Sequence, residues 1–471
     1  MYTLSLREEH VDALAGHLLR EDGHERAAYL LCNQVRVGRD PWAHHERRTF
    51  LSARVIPVND DEVVSANGRH VSWRTGGFAK ALKVAETNGQ VVTIVHCHPQ
   101  GVTSFSTEDD ANESDLLQMA INRNGIGTNI LSLLLTEDHK LSGRIWLNAG
   151  PKRHEPFEMI RVTGRRVQLY HPGQAEGLPL STLHRQALVF GEALNRDLRA
   201  LRVGVIGCGG TGSAVAMLLA RLGVGQLLLV DNDIVDRTNL NRLYGASQTD
   251  ADAMLAKAEV VANSISGMGI GVRTVPIVAW VGDDRCRDAL RACDVVFGCT
   301  DDHDGRLLLN RFAYYYLVPV IDVGLAIEVD HGEPPLVRAL DGRVTVLGPR
   351  HTCLICRNIV NTQNALAEGL RRSNPEEYKR QKVEAYVLGE GDPSPAVVTF
   401  TTEVACMAVN ELIHRMQGFR GAEGAIDNRL RKFNLMTDRR PGHKPIPGCS
   451  ICDSDAIWGK GDVEPFLGRV G

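Results

Sequence analysis

Two histidines, a serine and an aspartate lie close together in the first third of the chain, at His96, His98, Ser106 and Asp109, with the spacing H-x-H-x7-S-x2-D. Two imidazoles and a carboxylate can bind zinc and leave a fourth coordination position open for water. The alternative is a pair of surface histidines followed by a helix N-cap at Ser106. The proline after His98, together with the serine and the aspartate, favours the metal site.

Hydrolysis at such a site also needs a base and a group that stabilises the developing oxyanion. Glu25, in the segment H-E-R-A-A-Y-L-L, opens an apolar strand and is the candidate base, with nearby Glu21 as the alternative. Ser106 is spaced to place its hydroxyl over the reacting carbonyl oxygen. Together these residues predict a hydrolytic metal centre.

Further along, the chain reads V-I-G-C-G-G-T-G from Val205 to Gly212, the pattern of a strand that opens into a nucleotide-binding turn. Glycines in such a turn let backbone N–H groups and a helix N-terminus approach phosphate. The next strand ends at Asp231, which is placed to accept the ribose hydroxyls. Because dehydrogenases use similar glycines, the turn alone does not decide between ATP and NAD. The candidate turn residues are Gly207, Gly209, Gly210 and Gly212.

Charged and amide side chains downstream of the turn favour ATP. Asn239, Arg242 and Lys257 follow along the chain, and Asp301 and Asp302 end a later strand. Arginine and lysine stabilise the charge of a reacting phosphate, and a carboxylate can bind Mg2+. Hydride transfer needs none of these groups. We therefore expect a site for ATP and Mg2+, with the choice between Asp301 and Asp302 as magnesium ligand left open.

Four of the 11 cysteines form two C-x-x-C pairs. Four thiolates from two such pairs make a closed tetrahedral zinc site with a structural role, and a redox role is the alternative. Cys406 lies in the apolar run V-A-C-M-A-V, which predicts a buried, inert thiol. Residues 357–405 contain no cysteine, so no transfer cysteine is expected there. The candidate zinc ligands are Cys353, Cys356, Cys449 and Cys452.

The composition is that of an ordinary globular protein, with 471 residues, 43% hydrophobic and 23% charged residues and a net charge of −4. This length predicts two or three domains. Nucleic acid and anionic membranes are not expected as main partners, because no part of the chain is strongly basic. Neither a membrane span nor a signal-peptide pattern is present in the sequence, so we expect a cytoplasmic protein.

The periodicity of apolar residues predicts two domains of different class. An α+β domain is expected over residues 1–160, with strands at 27–37, 91–95, 131–135 and 143–147 and a helix at 107–123. A Pro/Gly-rich stretch indicates a linker within 161–180. Alternating strands and helices predict a doubly wound α/β domain over 181–471. Within it, residues 365–395 read as one helix and a mobile crossover loop.

The metal-site residues resemble the JAMM motif of the JAB/MPN family, whose members are zinc peptidases and isopeptidases of ubiquitin-like proteins. The resemblance covers residues 1–160. It implies that Glu25 is the general base, that Ser106 stabilises the oxyanion, and that zinc is bound by His96, His98 and Asp109.

Residues 180–455 resemble the ubiquitin-activating-enzyme family, including its bacterial ThiF- and MoeB-type members. The resemblance implies a homodimer in which Arg185, in the segment L-H-R-Q, reaches the active site of the partner subunit. It also implies a structural zinc site and, without a transfer cysteine, a reaction that stops at the acyl-adenylate. The other residues implied in catalysis or ATP binding are Gly207, Gly209, Gly210, Gly212, Asp231, Asn239, Arg242, Lys257 and Asp301.

The two resemblances together predict a bifunctional enzyme of a ubiquitin-like protein pathway. One part would trim a precursor to its C-terminal glycine, or remove the modifier from conjugates, and the other would adenylate the exposed carboxylate. The expected partners are a ubiquitin-like or sulfur-carrier protein and a conjugating-enzyme-like protein. The alternatives are sulfur-carrier activation for thiamine, molybdopterin or cysteine synthesis ending in a thiocarboxylate, a scaffold without chemistry, and an NAD-dependent dehydrogenase.

Overall fold

The computed structural model describes residues 1–148, 153–172, 180–330, 332–383 and 395–468. Within these ranges the chain forms one large sheet from its N-terminal part, a second from its C-terminal part, and a separate two-stranded hairpin. No helix in these ranges is both long and apolar enough to cross a membrane.

The N-terminal part places three described helices against a mixed sheet. The helices are α1 (Glu8–Leu18), α2 (Gly76–Asn88) and α3 (Thr107–Asn124). The strands are β1 (Tyr2–Arg7), β2 (Ala27–Val37), β3 (Arg47–Pro57), β4 (Val63–Asn67), β5 (His70–Trp73), β6 (Val91–His98), β7 (Ile130–Thr136), β8 (Leu141–Leu147), β9 (Arg153–Pro156), β10 (Met159–Thr163) and β11 (Val167–Tyr170). In the described ranges the sheet order is β11-β10-β1-β3-β2-β6-β7-β8-β9, and β4 and β5 form the separate hairpin.

Alternation along β2 divides the apolar side chains between the two faces of this sheet. Leu30 packs with Leu14 and Leu18 of α1 on one face. Tyr29 packs with Phe78 of α2 on the other face, where α3 also contributes apolar side chains. The strands that carry the candidate metal ligands are therefore covered on both faces.

The C-terminal part is a Rossmann-type layered structure. Its helices are α4 (His184–Ala200), α5 (Gly210–Leu222), α6 (Gln248–Asp252), α7 (Lys257–Gly267), α8 (Asp284–Arg291), α9 (His303–Tyr315), α10 (Thr362–Ser373), α11 (Pro375–Val383) and α12 (Val398–Gln417). Its strands are β12 (Arg202–Ile206), β13 (Gln226–Val230), β14 (Arg273–Ile277), β15 (Val295–Gly298), β16 (Val320–Asp330), β17 (Leu336–Leu347), β18 (Asn428–Lys432) and β19 (Thr437–Arg439).

The second sheet has the order β14-β13-β12-β15-β16-β17-β18-β19. The strands from β14 to β16 are parallel, and β17 to β19 continue the sheet in antiparallel pairing. The carboxyl ends of parallel strands meet at one edge, which is where ligands bind in folds of this class. The α/β fold class predicted from the sequence is confirmed.

Several local predictions differ from the structure. β2 has the predicted bounds, but three strands that were not predicted, β9, β10 and β11, follow the predicted strand at 143–147. β10 pairs in parallel with β1, a contact that local patterns do not reveal. The predicted linker, 161–180, overlaps these strands, and its residues 173–179 lie outside the described ranges.

The region predicted as one helix and a crossover loop contains two helices, α10 and α11. Residues 384–394 of the predicted loop lie outside the described ranges. α10 packs against α9, so the beginning of the crossover region contacts the second sheet's own helical layer.

Candidate functional site

His96, His98 and Asp109 meet at the carboxyl end of β6. Residues two apart on a strand point to the same face, so β6 directs both imidazoles to one side, and Asp109 comes from the first turn of α3. The Nε2 atoms of the two histidines lie 3.3 Å apart. A carboxylate oxygen of Asp109 lies 3.4 Å from His96 Nε2 and the other lies 3.7 Å from His98 Nε2.

These separations fit one zinc ion. Zn–N and Zn–O bonds of about 2.0–2.1 Å in a tetrahedron place neighbouring ligand atoms about 3.4 Å apart. His98 Nδ1 lies 3.0 Å from the carbonyl oxygen of Val102. A proton donated to that carbonyl leaves His98 Nε2 unprotonated and able to bind a metal.

Glu25 contacts the same cluster, whereas Glu21 is exposed. Glu25 Oε1 lies 3.9 Å from His98 Nε2, and the backbone N–H of Glu25 donates to the carbonyl of Asn67 at 2.8 Å. Burial raises the pKa of Glu25 to about 7. Such a carboxyl group can take up and return a proton near neutral pH. Glu25 is therefore the better placed of the two candidate bases.

Ser106 is the N-cap of α3 and also faces Asp109, a candidate metal ligand. Its hydroxyl donates to Asp109 Oδ2 at 2.8 Å, and the backbone N–H of Asp109 donates back to Ser106 Oγ at 3.1 Å. The N-cap and the metal site, which the sequence presents as alternatives, are thus compatible, because the cap orients the ligand. Ser106 is exposed beside the cluster, where a substrate carbonyl could approach it.

The β4–β5 hairpin forms part of the cleft beside this cluster, a feature that the sequence analysis missed. His70, Val71 and Trp73 line the cleft together with Glu25 and His96. His70 Nδ1 lies 3.0 Å from Glu108 Oε1 of α3. No local motif in the sequence signals this contact, because it joins two separate elements.

The glycine turn after β12 leads directly into α5. Gly207 has a φ of +89°, and a Cβ atom there would lie 2.7 Å from the carbonyl oxygen of Cys299. A Cβ atom at Gly212 would lie 1.7 Å from the carbonyl oxygen of Gly207. Gly207, Gly209 and Gly210 line a cavity of about 250 Å³, and Gly212 is absent from its described lining. Gly212 packs closely against Gly207, and its contact with ATP stays a prediction.

Asp231 lies in this cleft at the end of β13. Its two carboxylate oxygens accept the backbone N–H groups of Cys208, at 2.6 Å, and Asp233, at 2.8 Å. Lys257 Nζ lies 2.8 Å from Asp233 Oδ2. Asp231 thus ties the glycine turn to the next loop, and Asp233, which the sequence analysis did not single out, orients the lysine.

Asn239 and Arg242 also line the cleft. Asn239 Oδ1 accepts the backbone N–H of Asp236 at 3.2 Å, and Arg242 Nη1 donates to the carbonyl of Thr238 at 2.6 Å. The aliphatic part of Arg242 packs on Gly210, where a Cβ atom would lie 3.2 Å from Arg242 Cδ. The side chain of Arg242 therefore lies against the glycine turn, and its guanidinium is bonded to the loop that contains Thr238.

Asp301 and Asp302 have different surroundings. Asp301 is exposed and lines the cleft. Asp302 is the N-cap of α9, where its carboxylate accepts the backbone N–H of Gly305 at 2.8 Å and the indole N–H of Trp280 at 3.1 Å. Asp301 is the residue whose carboxylate could hold Mg2+ beside a phosphate, because Asp302 is engaged by the fold.

The four cysteines of the C-x-x-C pairs come together in space. Cys353 Sγ lies 3.8 Å from Cys449 Sγ, and Cys452 Sγ lies 3.6 Å from Cys356 Sγ and 3.8 Å from Cys449 Sγ. A tetrahedral Zn–S4 site with bonds of about 2.3 Å has sulfur atoms about 3.8 Å apart. The spacing fits a structural zinc ion and excludes disulfides, whose sulfur atoms are bonded at about 2.05 Å.

Two other predicted residues lie away from these clusters. Cys406 lies within α12 and is half-buried rather than buried as predicted, and burial raises the pKa of its thiol. Arg185, in the first turn of α4, is exposed and absent from the described lining of the nucleotide cleft. The structure therefore does not bring Arg185 to the site within its own subunit.

The family model of the ThiF family matches residues 183–450, which is more than half of the chain. The chain belongs to the ThiF family. A second model, described as prokaryotic homologs of the JAB domain, matches residues 7–145. The matched segments contain the nucleotide cleft and the candidate metal cluster, respectively, and we call them the ThiF domain and the JAB-like domain. The predicted fusion of the two families is confirmed.

Curated relatives match parts of the chain. A molybdopterin-synthase adenylyltransferase of Salmonella typhimurium is 29% identical over 257 residues, 54% of this chain and 88% of the relative. A SAMP-activating enzyme E1 of Haloferax volcanii is 31% identical over 159 residues, 34% of this chain and 54% of the relative. The mouse adenylyltransferase and sulfurtransferase MOCS3 is 38% identical over 115 residues, 24% of each chain. The chain thus spans only about half, or less, of the latter two relatives.

Solved structures of MccB from E. coli also align with the chain. One of them, a complex with succinimide, has 18% identity and a TM-score of 0.44, and the alignment covers 60% of this chain and 76% of that chain. A likeness this distant adds nothing to the family assignment.

Proposed function

We propose that the ThiF domain catalyses ATP-dependent adenylation of the C-terminal carboxylate of a ubiquitin-like or sulfur-carrier protein. The observation that carries this proposal is the convergence of Gly207, Arg242, Lys257 and Asp301 on one cleft. The relatives named above as adenylyltransferases and as an E1 enzyme support the reaction class. Each of these relatives matches only part of this chain, so the substrate and the partners belong to the proposal.

The residues of the cleft suit attack of a carboxylate on the α-phosphate. The carboxylate oxygen forms a bond to phosphorus and pyrophosphate leaves, so negative charge moves onto the leaving phosphates. Arg242 and Lys257 would stabilise that charge, and the turn amides would bind phosphate oxygens. Asp301 would hold Mg2+, which supplies charge neutralisation at the phosphates. Asp231 would orient the ribose.

A second activity is proposed for the JAB-like domain, namely zinc-dependent cleavage of a peptide or isopeptide bond after the modifier's terminal glycine. The observation that favours it is the fit of the His96, His98 and Asp109 atoms to one zinc ion. Zinc supplies Lewis acidity at such a site. Glu25 would accept a proton from water and pass it to the leaving amine, and Ser106 would donate a hydrogen bond to the developing oxyanion.

The two activities form a sensible sequence, because a precursor must be cut to a free C-terminal glycine before its carboxylate can be activated. Removal of the modifier from conjugates, followed by reactivation, uses the same two sites. No cysteine occurs between residues 357 and 405, which supports a reaction that stops at the acyl-adenylate. The adenylate would then pass to a sulfur donor, giving a thiocarboxylate, or to a conjugating-enzyme-like protein.

The exposed position of Arg185 supports the proposal of a homodimer. In such a dimer, Arg185 would enter the nucleotide cleft of the partner subunit. The expected result is that activity falls on dilution below the dimer dissociation constant, whereas full activity of a monomeric preparation would contradict this role.

The adenylation proposal can be tested by mass spectrometry. The protein is incubated with MgATP and with ubiquitin-like and sulfur-carrier proteins ending in a free glycine, and the products are examined for an AMP adduct on the terminal carboxylate. We expect the adduct with wild-type protein and not with Lys257→Ala. A protein that binds MgATP but gives no adduct with any member of the panel would contradict the proposal.

A further inference from the structure

Trp280 forms an aromatic wall of the nucleotide cleft. It follows β14 and lines the cleft with Ile206, Val230 and Ala279, which make up an apolar part of the lining. Among the described lining residues, Trp280 is the one aromatic side chain. Purine bases pack well against apolar and aromatic groups. The base of a bound ATP would therefore lie against this wall.

The indole of Trp280 is held in place by contacts outside the cleft lining. The guanidinium carbon of Arg372, from α10, lies 3.3 Å from the centroid of the ring. The indole N–H donates to Asp302 Oδ2 at 3.1 Å. Gly282 packs so closely that a Cβ atom there would lie 1.9 Å from Trp280 Cζ3. These three contacts fix the orientation of the indole ring.

Arg372 also forms an ion pair with Asp304, whose side chain is only 2% exposed. Asp304 lies in the first turn of α9, and its backbone N–H donates to Glu368 Oε2 of α10 at 2.8 Å. α9 begins at His303, with Asp302 as its N-cap, and Asp301, the candidate magnesium residue, directly precedes that cap. A single guanidinium from α10 therefore contacts both the aromatic wall and the first turn of the helix that follows the metal candidate.

We propose that Arg372 is a positioning residue for the nucleotide. It does not line the described cleft, but it holds Trp280 against the base and, through Asp304, fixes the start of α9. Nucleotide affinity then depends on whether α10 is docked, which links the crossover region to the ATP site. This inference rests on the proposed adenylation activity.

The test is equilibrium binding of MgATP to the full chain, measured by isothermal titration calorimetry, with thermal unfolding of each variant. Arg371, which precedes Arg372 in α10 and is likewise exposed, supplies the matched control. Arg371→Ala should bind as wild type does, whereas Arg372→Ala should bind about tenfold more weakly or worse. Arg372→Lys keeps a charge for Asp304 but not a planar group. Arg372→Lys should therefore recover most of the thermal stability that Arg372→Ala loses, but little of its affinity for MgATP.

The outcomes separate this inference from the proposal it rests on. Failure of the wild-type protein to bind MgATP would overturn the adenylation proposal and this inference together. Binding by wild type, with equal affinity in Arg372→Ala and Arg371→Ala, would overturn only the positioning role. If Arg372→Ala does not fold, Arg372→Lys decides, because wild-type affinity in that variant would mean that stacking on Trp280 is not needed.

Discussion

Arg161 of β10 and Asp294, which directly precedes β15, form a buried ion pair between the two sheets. Their Nη1 and Oδ1 atoms are 2.9 Å apart, and each side chain is 5% exposed. Arg161 also donates to Ser5 Oγ at 2.9 Å, and Asp294 Oδ2 accepts the backbone N–H of Arg202 at 3.0 Å. Separation of the two sheets would leave the charges of Arg161 and Asp294 buried without partners. The ion pair therefore holds the two sheets in one relative orientation.

Both candidate sites lie away from the contact between the two sheets. Arg202 begins β12 and Asp294 precedes β15, so the contact lies at the amino ends of the parallel strands, whereas the nucleotide cleft lies at their carboxyl ends. In the first sheet, Ala27 at the start of β2 pairs with His96, whereas Asn33, further along β2, donates to the carbonyl oxygen of Gly459 at 2.7 Å. In the described ranges no residue lines both clefts, so each should work without the other.

Asp294→Ala is expected to destabilise the protein by about 3–5 kcal/mol, because it leaves Arg161 buried without its partner charge. The free energy of unfolding in urea measures this loss. Asp330→Ala removes an exposed partner of Arg338 and serves as the control, with an expected change within about 0.5 kcal/mol. Equal stability of the two variants would show that the Arg161–Asp294 contact does not hold the parts together.

Asp109→Ala is expected to lose the zinc of the JAB-like domain and its cleavage activity while nucleotide binding is retained. Metal content by inductively coupled plasma mass spectrometry should fall by one zinc per chain. Ser106→Ala removes the same helix cap but no ligand, so it should keep its zinc. Loss of zinc from both variants would mean that the cap, rather than the Asp109 carboxylate, is what the site requires.

Lys257→Ala is expected to lower the rate of ATP–pyrophosphate exchange by at least about a hundredfold, because it removes a charge aimed at the reacting phosphates. Arg237→Ala is the control, since Arg237 is a nearby cation that pairs with Asp252 and is absent from the described cleft lining. Cleavage by the JAB-like domain should be unchanged in both. A parallel loss of exchange in Arg237→Ala would point to a general charge effect.

Cys449→Ser is expected to lose the structural zinc and to lower the melting temperature by at least about 10 °C, because metal binding at such a site contributes folding free energy. Cys406→Ser should retain full zinc content, stability and adenylation activity, since Cys406 lies within α12 away from the four-cysteine cluster. Unchanged stability of Cys449→Ser would contradict a structural metal site. Loss of product transfer in Cys406→Ser would identify that thiol as a nucleophile.

Much of both sites could be predicted from the sequence because their residues lie at fixed short spacings. The histidines on β6, the N-cap at Ser106 and the glycines after β12 are local patterns whose geometry follows from strand and turn rules. The two C-x-x-C pairs carry their ligand spacing in the sequence. The proposal of Asp301 rather than Asp302 as the magnesium residue needed the structure, because only there does Asp302 cap α9.

The contacts that join distant segments could not be predicted. Arg372 and Trp280 lie in different elements with no shared motif, and each reads in the sequence as an ordinary surface arginine or core aromatic residue. The pairing of Arg161 with Asp294 could not be predicted either. Charged residues are normally exposed, and nothing in the sequence shows that these two are buried together. The pairing of β10 with β1 was missed because parallel pairing of distant strands leaves no local signal.

The central claim is that one chain trims a ubiquitin-like protein and then activates its C-terminal glycine. The most direct measurement is the time course of ATP–pyrophosphate exchange with such a protein ending in free glycine, beside a version extended past that glycine. Exchange should begin at once with the protein that ends in free glycine. With the extended version it should begin only after a lag, and in Asp109→Ala it should not begin at all. Immediate exchange with the extended version, or exchange with neither, would contradict the claim.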